Sequence, residues 1–268
     1  MFSKEFILNQ LREMGVPQDR PVTIHTSLKS IGEVEGRGEG LLDLLIEYVT
    51  AKGGLLCVPT HTHDYLYAKD LITLDLLKPF TQLGAFPTIA VNDPRGVRSI
   101  NPSHSMAIFG DKEKAREFAA ADNGIKTCTS PSGCYGRLYD EDGYVLLVGV
   151  DHNKNSFLHC AEEMLDMPNR LTEEEIETRI RHVDGSIELF SLRTYRPIPE
   201  LGDVSGRFEK FEPAFKKNGC ITYGKIGNAD TQLCSCRGMV AVMRMILERS
   251  NGKDVLADEL PIDEKYYN

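Results

Sequence analysis

The segment YVLLVGV, residues 144–150, constrains the fold more than any other part of the chain. It is apolar throughout and lacks the polar alternation of a strand that faces water on one side. Such continuous runs are typical of strands covered by helices on both faces of a sheet. A turn signal, DEDG, precedes it, and the helix-like pattern SFLHCAEEML follows. The segment therefore predicts a buried strand of an α/β sheet.

The same order of strand, loop and helix occurs earlier in the chain. PVTIH and LLCVPTHTH have the pattern of short buried strands, and the helix pattern LLDLLIEYVTAK lies between them. TRIRHVDGSIELFSLRTY contains two alternating runs joined by a DG turn, which indicates a hairpin. We expect an α/β fold with a single domain over residues 1–268, a mixed central sheet flanked by helices, and a β-hairpin insertion in the C-terminal half. The polar segment after Ser250 is predicted to pack loosely.

Composition and charge exclude several classes of protein. The chain has 31 Lys and Arg against 40 Asp and Glu, a net charge of −9, and no basic cluster, which argues against nucleic acid as a partner. No apolar run approaches the roughly 18 residues of a membrane span, and the first residues do not have the pattern of a signal peptide. The 7 cysteines are an odd number, and their spacing fits no zinc knuckle. We expect a cytoplasmic protein with reduced thiols and no membrane partner.

Histidines follow several of the predicted strands. In open α/β sheets, ligands collect where strands end, because backbone donors and helix N-termini point there. One histidine alone is more often structural than catalytic, but a concentration at strand ends favours a site. The histidines at or after such ends are His25, His61, His63, His152 and His159, whereas His104 precedes its strand.

The stretch THTHD suggests one alternative chemistry. Two histidines separated by one residue at a strand end present their side chains to the same side, as in the metal sites of amidohydrolase-type enzymes. A metal-dependent hydrolase using His61 and His63 would need a further ligand, for which His152 and Asp151 are the candidates.

The loop HTSLKSIG suggests another kind of ligand. Glycine-rich loops let the backbone approach phosphates or a thin acyl-pantetheine chain closely, although a plain surface loop has the same composition. The GK[ST] ending of a Walker A loop is absent, as is GxGxxG, so nucleotide hydrolysis and nicotinamide binding lose support.

Taken together, several segments resemble the antibiotic N-acetyltransferase family, the acetyl-CoA-dependent aminoglycoside 3-N-acetyltransferases, which are distinct from the GNAT fold. The resemblance extends from about His25 to near Leu247. Its segments are HTSLKSIG, LLCVPTHTHD, LGAFPTIAVNDPRGVRSINPSHSMAIFG, SPSGCYGRLYDEDGYVLLVGVDHNKNSFLHCAE and KIGNADTQL. The fourth is the most similar, with its SP..G.L turn, apolar strand, asparagine and LH.AE helix in register.

This resemblance implies transfer of an acetyl group from a CoA thioester to a small amine, with no metal. The LH.AE histidine, here His159, is implied as general base, and Glu162 either orients its ring or forms a buried salt bridge or a cap. The implied cofactor-binding residues are His25, Thr26, Ser27, Leu28, His104 and Ser105. Those assigned to the substrate are Asp64, Asp151, His152 and Asn155. A homodimer is one possible assembly.

Two negative charges, on the thioester oxygen in the transition state and on the CoA phosphates, are predicted to be stabilised by groups of this chain. The thioester oxygen would receive hydrogen bonds from N–H groups of residues 26–28 or from those around Asn155 and Ser156. The CoA phosphates would meet cations, for which the candidates are Lys29, Arg95 and Arg98. The chain also departs from the family's pattern: the stretch from Asp64 to Phe86 is shorter, Thr26 replaces a serine, and Asp151 replaces a common glycine. Glu200 is a further acidic candidate for an amine, and the acceptor is left open between aminoglycosides and other amines.

Overall fold

The computed structural model describes residues 1–66, 71–195 and 203–268, which form nine α-helices and ten strands. The helices are α1 Lys4–Glu13, α2 Leu28–Ile31, α3 Arg37–Thr50, α4 Ala85–Asn92, α5 Lys112–Ala119, α6 Cys134–Asp140, α7 Phe157–Met164, α8 Glu212–Lys217 and α9 Cys236–Arg249. The strands are β1 Pro21–Thr26, β2 Leu55–Pro59, β3 Leu74–Asp75, β4 Val97–Arg98, β5 Met106–Phe109, β6 Tyr144–Val148, β7 Ile176–Arg181, β8 Ile187–Leu192, β9 Ile221–Ile226 and β10 Ala229–Ser235. Glu200, proposed above as an acidic candidate, lies outside the described residues.

Seven strands form the main sheet in the order β4-β5-β2-β1-β6-β10-β9. β1 pairs in parallel with β2 and with β6, whereas β5 and β10 join this parallel centre antiparallel. The predicted mixed α/β sheet is therefore confirmed. β6 lies inside the sheet, and its apolar run is explained by two separate cores. Val145 and Leu147 pack into one, and Leu146 and Val148 into the other.

Helices cover both faces of this sheet. Phe118 of α5, Leu138 of α6 and Phe157 of α7 belong to the first core, to which α9 also contributes. Leu11 of α1 and Leu42 of α3 belong to the second, as does α4. The site described below depends on the parallel centre, since β1 and β2 end at the same edge of the sheet.

The predicted hairpin is present and belongs to a second sheet. β7 and β8 pair antiparallel from Ile176↔Leu192 to Arg181↔Ile187. Asp184 accepts a hydrogen bond from the Ser186 N–H in the turn, and Gly185 takes a φ of 86°, which favours glycine. β3 adds to β7 in parallel and completes three strands in the order β3-β7-β8. The sequence does not predict β3, because a strand of two residues is too short to show an alternation of apolar and polar residues.

The segment after Ser250 does not pack loosely, so that prediction is wrong. Its apolar residues are spaced widely among polar ones, yet Val255, Leu256, Ile262 and Tyr267 are all buried in the first core. Burial of these side chains outweighs the polar character of the sequence around them.

Among the described residues, no helix has both the length and the apolar composition needed to cross a membrane.

Candidate active site

A cavity of about 470 Å³ opens where β1 and β2 end. Five histidines line it, and they come from separate parts of the chain: His25, His61, His63, His104 and His159. The sheet brings these side chains together because parallel neighbours end at the same edge. Four of the five histidines expected at strand ends, His25, His61, His63 and His159, therefore share one cavity with His104, whereas His152 does not line it.

His159 lies in the first turn of α7 and is 6% exposed. Its ring stacks on Tyr195 at 3.8 Å between centroids and meets the edge of Phe208 at 4.8 Å. Nδ1 lies 3.5 Å from the Glu162 Oε2 atom, and neither atom has a hydrogen-bond partner among the described residues. Two aromatic rings therefore fix the plane of the imidazole, and the carboxylate faces one of its nitrogens.

Glu162 is held by a chain of buried charges. The Arg170 Nε atom donates to the Glu162 carboxylate at 2.5 Å, and the same guanidinium donates two hydrogen bonds to Asp254, at 2.8 and 2.9 Å. The side chains of Arg170 and Glu162 are only 2% and 1% exposed. Of the three roles expected for Glu162, the buried salt bridge is present, and the carboxylate also lies 3.5 Å from the His159 ring.

This chain of charges predicts how stability depends on pH. Burial alone would raise the pKa of Asp254, but the hydrogen bonds from Arg170 outweigh burial and hold the pKa below its ordinary value. A carboxylate with a depressed pKa stabilises the fold above its unfolded pKa, about 3.9, and loses that contribution as pH falls through the folded value. We expect Asp254→Asn to make the free energy of unfolding less dependent on pH below about 4. Urea unfolding of both proteins between pH 3 and 6 measures this, and parallel curves would contradict it.

Three other histidines of the cavity, His61, His63 and His104, form a compact cluster. The His61 and His104 rings are 4.3 Å apart between centroids, and His63 stacks on His104 at 5.5 Å. His61 Nε2 is 2.9 Å from the Tyr135 hydroxyl. Burial, and next to it the neighbouring histidines, hold the pKa of both His61 and His104 well below its ordinary value.

His25 has a similar environment. Burial lowers the pKa of His25 to about 4, and its Nε2 atom has no hydrogen-bond partner among the described residues. A buried imidazole with lowered pKa is neutral at pH 7. The rings of His25, His61 and His104 are therefore uncharged, and each can take part in hydrogen bonds as donor and acceptor.

The cavity brings together only part of the predicted site. Asp64, Asn155, His25, His104 and His159 line it. The other predicted residues lie outside the lining: Thr26, Ser27, Leu28, Ser105, Asp151, His152 and Glu162. Their roles toward cofactor and substrate remain predictions, and the contacts of several of them are structural.

His152 was predicted to bind the substrate, but its contacts are those of a structural core residue. It is fully buried, packs against Phe215 at 5.3 Å between ring centroids, and lies 3.2 Å from the Asn155 amide through Nδ1. Burial lowers the pKa of His152 to about 4. A single turn of 3₁₀ helix, His152–Lys154, places this ring in the core while His159 reaches the cavity.

Two side-chain hydroxyls that were predicted to bind the cofactor already form hydrogen bonds within the protein. The Ser27 hydroxyl caps α2 and accepts from the Ser30 N–H and hydroxyl. The Ser105 hydroxyl donates to the Thr60 carbonyl at 2.9 Å and is buried. Asp151 accepts from the Asn153 N–H and caps the turn that follows β6.

Three of the N–H groups proposed to stabilise the oxyanion already donate within the protein. The Ser27 N–H donates to Val148, the Asn155 N–H to His152, and the Ser156 N–H to Lys154. These bonds would have to break before the groups could serve a thioester oxygen, so the structure does not favour them as preformed donors.

Of the three candidate phosphate cations, two are engaged. Arg95 binds the carboxylates of Asp93 and Asp43, each at 2.6 Å. Arg98 is directed inward and donates to the carbonyls of Thr60 and Phe80, and burial lowers the pKa of Arg98 to about 10. Lys29 is exposed.

Several cavity residues were not predicted. Tyr195 stacks on His159, and Gln82 contacts His63 at 2.9 Å. Asp203 lines the cavity together with Asp64. No local signal marks these residues, because they come from loops that only the tertiary fold brings to the histidines. The DG hairpin before Tyr195 is the nearest feature that the sequence contains.

The fold and the cavity together define a class: an α/β enzyme whose site is built from histidines at the ends of parallel strands. A family model described as aminoglycoside 3-N-acetyltransferase matches residues 23–248. Because that match spans most of the chain, the protein belongs to the aminoglycoside 3-N-acetyltransferase family, and it is an acyltransferase.

Relatives and solved structures agree with this family. The chain is 24% identical over 251 residues to the SPbeta prophage-derived aminoglycoside N(3')-acetyltransferase-like protein YokD of Bacillus subtilis (strain 168), covering 87% of this chain and 88% of the relative. It is 24% identical over 252 residues to aminoglycoside N(3)-acetyltransferase IX of Micromonospora chalcea, covering 85% and 86%.

Two solved structures have the same fold. The crystal structure of a mutant of aminoglycoside acetyltransferase AAC(3)-IVa in complex with a gentamicin matches with a TM-score of 0.75 at 24% identity, covering 93% of this chain and 90% of that one. AAC-IIIb, in a binary complex with CoASH, matches with a TM-score of 0.78 at 18% identity, covering 92% and 97%.

Proposed function

We propose that the protein transfers the acetyl group of acetyl-CoA to the 3-amino group of an aminoglycoside antibiotic, which would confer resistance. The observation that carries the proposal is the position of His159: the histidine of the LH.AE motif lies in the wall of a cavity large enough for a small molecule. The named complexes of the structural neighbours, with CoASH and with a gentamicin, support both substrates.

The proposed reaction needs one base. An amine is mostly protonated at neutral pH, so a proton must leave its nitrogen before or during attack on the thioester carbon. His159 accepts this proton, the new C–N bond forms, and the C–S bond breaks to release the CoA thiolate, which takes up a proton. Because Nδ1 faces Glu162, we assign Nε2 as the nitrogen that faces the amine.

Glu162 is proposed as a positioning residue. Its carboxylate lies on the Nδ1 side of the ring, where it favours the tautomer with a proton on Nδ1 and the lone pair on Nε2. The Arg170 hydrogen bond fixes that carboxylate in place. An electrostatic contact is enough to favour this tautomer, and the 3.5 Å distance between Nδ1 and the carboxylate allows one.

The acceptor is proposed to bind at the acidic rim of the cavity. Asp64 and Asp203 provide carboxylates there, and Asn155 provides an amide. Ammonium groups of an aminoglycoside pair favourably with such groups.

The CoA arm is proposed to lie along His25 and His104, with Thr26, Ser27, Leu28 and Ser105 behind them. Lys29 is the remaining candidate cation for the CoA phosphates. We do not assign substrate contacts to Asp151 or His152.

A thiol-release assay with acetyl-CoA tests this function. We expect free CoA thiol to appear only when an acceptor is present, and fastest with aminoglycosides that carry a 3-amino group. Release with simple amines but not with aminoglycosides would reject the acceptor while keeping N-acetyl transfer. Release no faster than hydrolysis of acetyl-CoA alone, with every acceptor tried, would reject the reaction.

Family membership favours acyl transfer over the hydrolase that His61 and His63 suggest. We propose further that residues 1–268 act as one domain in the cytoplasm. A homodimer stays a prediction, which light scattering of the purified protein measures.

A further inference from the structure

The cluster of His61, His63 and His104 has a geometry that acetyl transfer does not require. One ring nitrogen from each of the three side chains lies within 4.8 Å of the others. We propose that these three histidines bind one divalent transition-metal ion of the zinc class. The family resemblance implies no metal, so the proposal rests on the geometry of these three side chains and not on the family.

The ligand type selects the class of metal. Neutral imidazole nitrogen suits Zn²⁺, Cu²⁺ and Ni²⁺, whereas Mg²⁺ and Ca²⁺ prefer sets of oxygen ligands. Three protein ligands with an open fourth position are the arrangement of reactive zinc sites, and here all three histidines line the cavity. The sequence suggested His61 and His63 but offered His152 or Asp151 as the third ligand. The structure supplies His104 instead, from the turn before β5.

Neighbouring groups already orient the three rings. His61 Nε2 is 2.9 Å from the Tyr135 hydroxyl, and His104 Nδ1 is 2.7 Å from the Ser103 hydroxyl. A ligating histidine usually donates its second ring N–H to such a partner, which fixes the tautomer and the direction of the free lone pair. In both residues the other nitrogen remains for a metal.

His63 requires one adjustment. Its Nε2 atom contacts the Gln82 amide at 2.9 Å, and its Nδ1 atom is buried without a hydrogen-bond partner among the described residues. The Gln82 oxygen accepts from the Asp64 N–H at 2.9 Å, so the amide nitrogen is the atom that points to His63. Metal binding through Nδ1 requires the tautomer with a proton on Nε2, and the amide must then rotate to accept it. A metal on Nδ1 would satisfy a buried atom that otherwise has no partner.

Cobalt tests the site independently of activity. Co²⁺ replaces Zn²⁺ and gives visible absorption bands whose intensity reports tetrahedral coordination. We expect chelator-treated protein to bind one Co²⁺ per chain and to lose the bands when Zn²⁺ is added. Absence of bands together with absence of Zn²⁺ binding by calorimetry would overturn the proposal.

Variants identify the ligands. Removing only a group that orients a ligand costs about 10–100-fold in metal affinity, so we expect His61→Ala, His63→Ala and His104→Ala each to weaken binding at least tenfold. His63→Ala is the most informative, because this ring is the least buried of the three and its loss should disturb folding least. His182→Ala is the matched control, since His182 lies in the hairpin and pairs with Glu188. Metal binding that is unchanged in all three cavity variants would place the ion elsewhere and reject the site.

A second readout rests on the proposed acetyl transfer. The His104 and His159 rings are 6.5 Å apart between centroids, so a cation on the cluster would repel an ammonium acceptor. We expect Zn²⁺ to inhibit acetylation by the wild-type protein and to inhibit His63→Ala less. Failure of the acetylation assay would leave the cobalt measurement intact, whereas equal inhibition of both proteins would reject the link to this cluster.

Discussion

Replacing His159 with alanine is expected to slow acetyl transfer by about 10²–10⁴-fold, while the affinity for CoA changes by no more than a few-fold. The reason is that a general base acts in the chemical step and contributes little to binding of the thioester. The ring is well placed for that role, since Tyr195 and Phe208 fix its plane and Glu162 faces one nitrogen.

Steady-state kinetics with acetyl-CoA and an active acceptor, together with calorimetric CoA binding, measure this prediction. Alanine leaves a void beside Tyr195, so His159→Gln serves as a second variant that keeps much of the volume. His182→Ala again serves as a control, because it removes a histidine outside the cavity. Turnover at the wild-type rate in a folded His159→Ala protein would remove His159 from its proposed role.

Replacing Arg170 with alanine is expected to lower the free energy of unfolding by about 3–5 kcal/mol, the usual cost of removing one partner from a buried ion pair. Arg170 lies between Glu162 and Asp254, and both Arg170 and Glu162 are almost completely buried. Its loss would leave the Glu162 carboxylate in the core without its cation. Activity should fall as well, because the carboxylate that faces His159 would no longer be fixed.

Urea unfolding measures the effect, with Arg12→Ala as the control. Arg12 pairs with Glu5 at 2.9 Å, but these side chains are 52% and 68% exposed, so we expect a change of less than about 1 kcal/mol. The double variant Glu162→Gln, Arg170→Met removes both charges and should recover a large part of the loss. A loss below about 1 kcal/mol for Arg170→Ala would mean that water reaches these charges.

The central architecture was predictable because its signals are local. β6 is a continuous apolar run, and the hairpin contains a DG turn between alternating strands. Both patterns follow from which faces are buried: β6 is covered on both faces of its sheet, whereas the hairpin strands alternate because each buries one face. β3 and β4 were not predicted, since each is two residues long and exists only through pairing with a neighbour.

α6 was missed for a different physical reason. Its first turn has no capping side chain from the adjacent sequence, and the N–H of Cys134 donates instead to the Asp122 carboxylate at 2.8 Å, twelve residues away in the chain. Helix starts are recognised in a sequence by a local cap. A cap supplied by a distant residue leaves no such signal.

The sequence predicted that histidines would form the candidate site, but not the direction in which each histidine side chain points. Histidines at strand ends indicated where chemistry would lie, and the family motif singled out His159. Nothing in the sequence between His152 and His159 shows that one turn of 3₁₀ helix sends His152 into the core beside Phe215. Tyr195, which contacts His159 most closely, follows the hairpin and could not be connected to it without the fold.

The four buried side chains of the C-terminal segment, Val255, Leu256, Ile262 and Tyr267, also have a consequence for the order of events during synthesis. The strands that frame the cavity and the helix that carries His159 are all made before residue 165. Arg170 nevertheless lacks its second carboxylate until Asp254 emerges, and the first core lacks Val255 and Leu256. At synthesis rates of roughly 5–20 residues per second, the nascent protein passes several seconds before the packing around α7 is complete. A chain that ended before Asp254 would lack these core side chains, and the apolar surface that they cover would stay exposed.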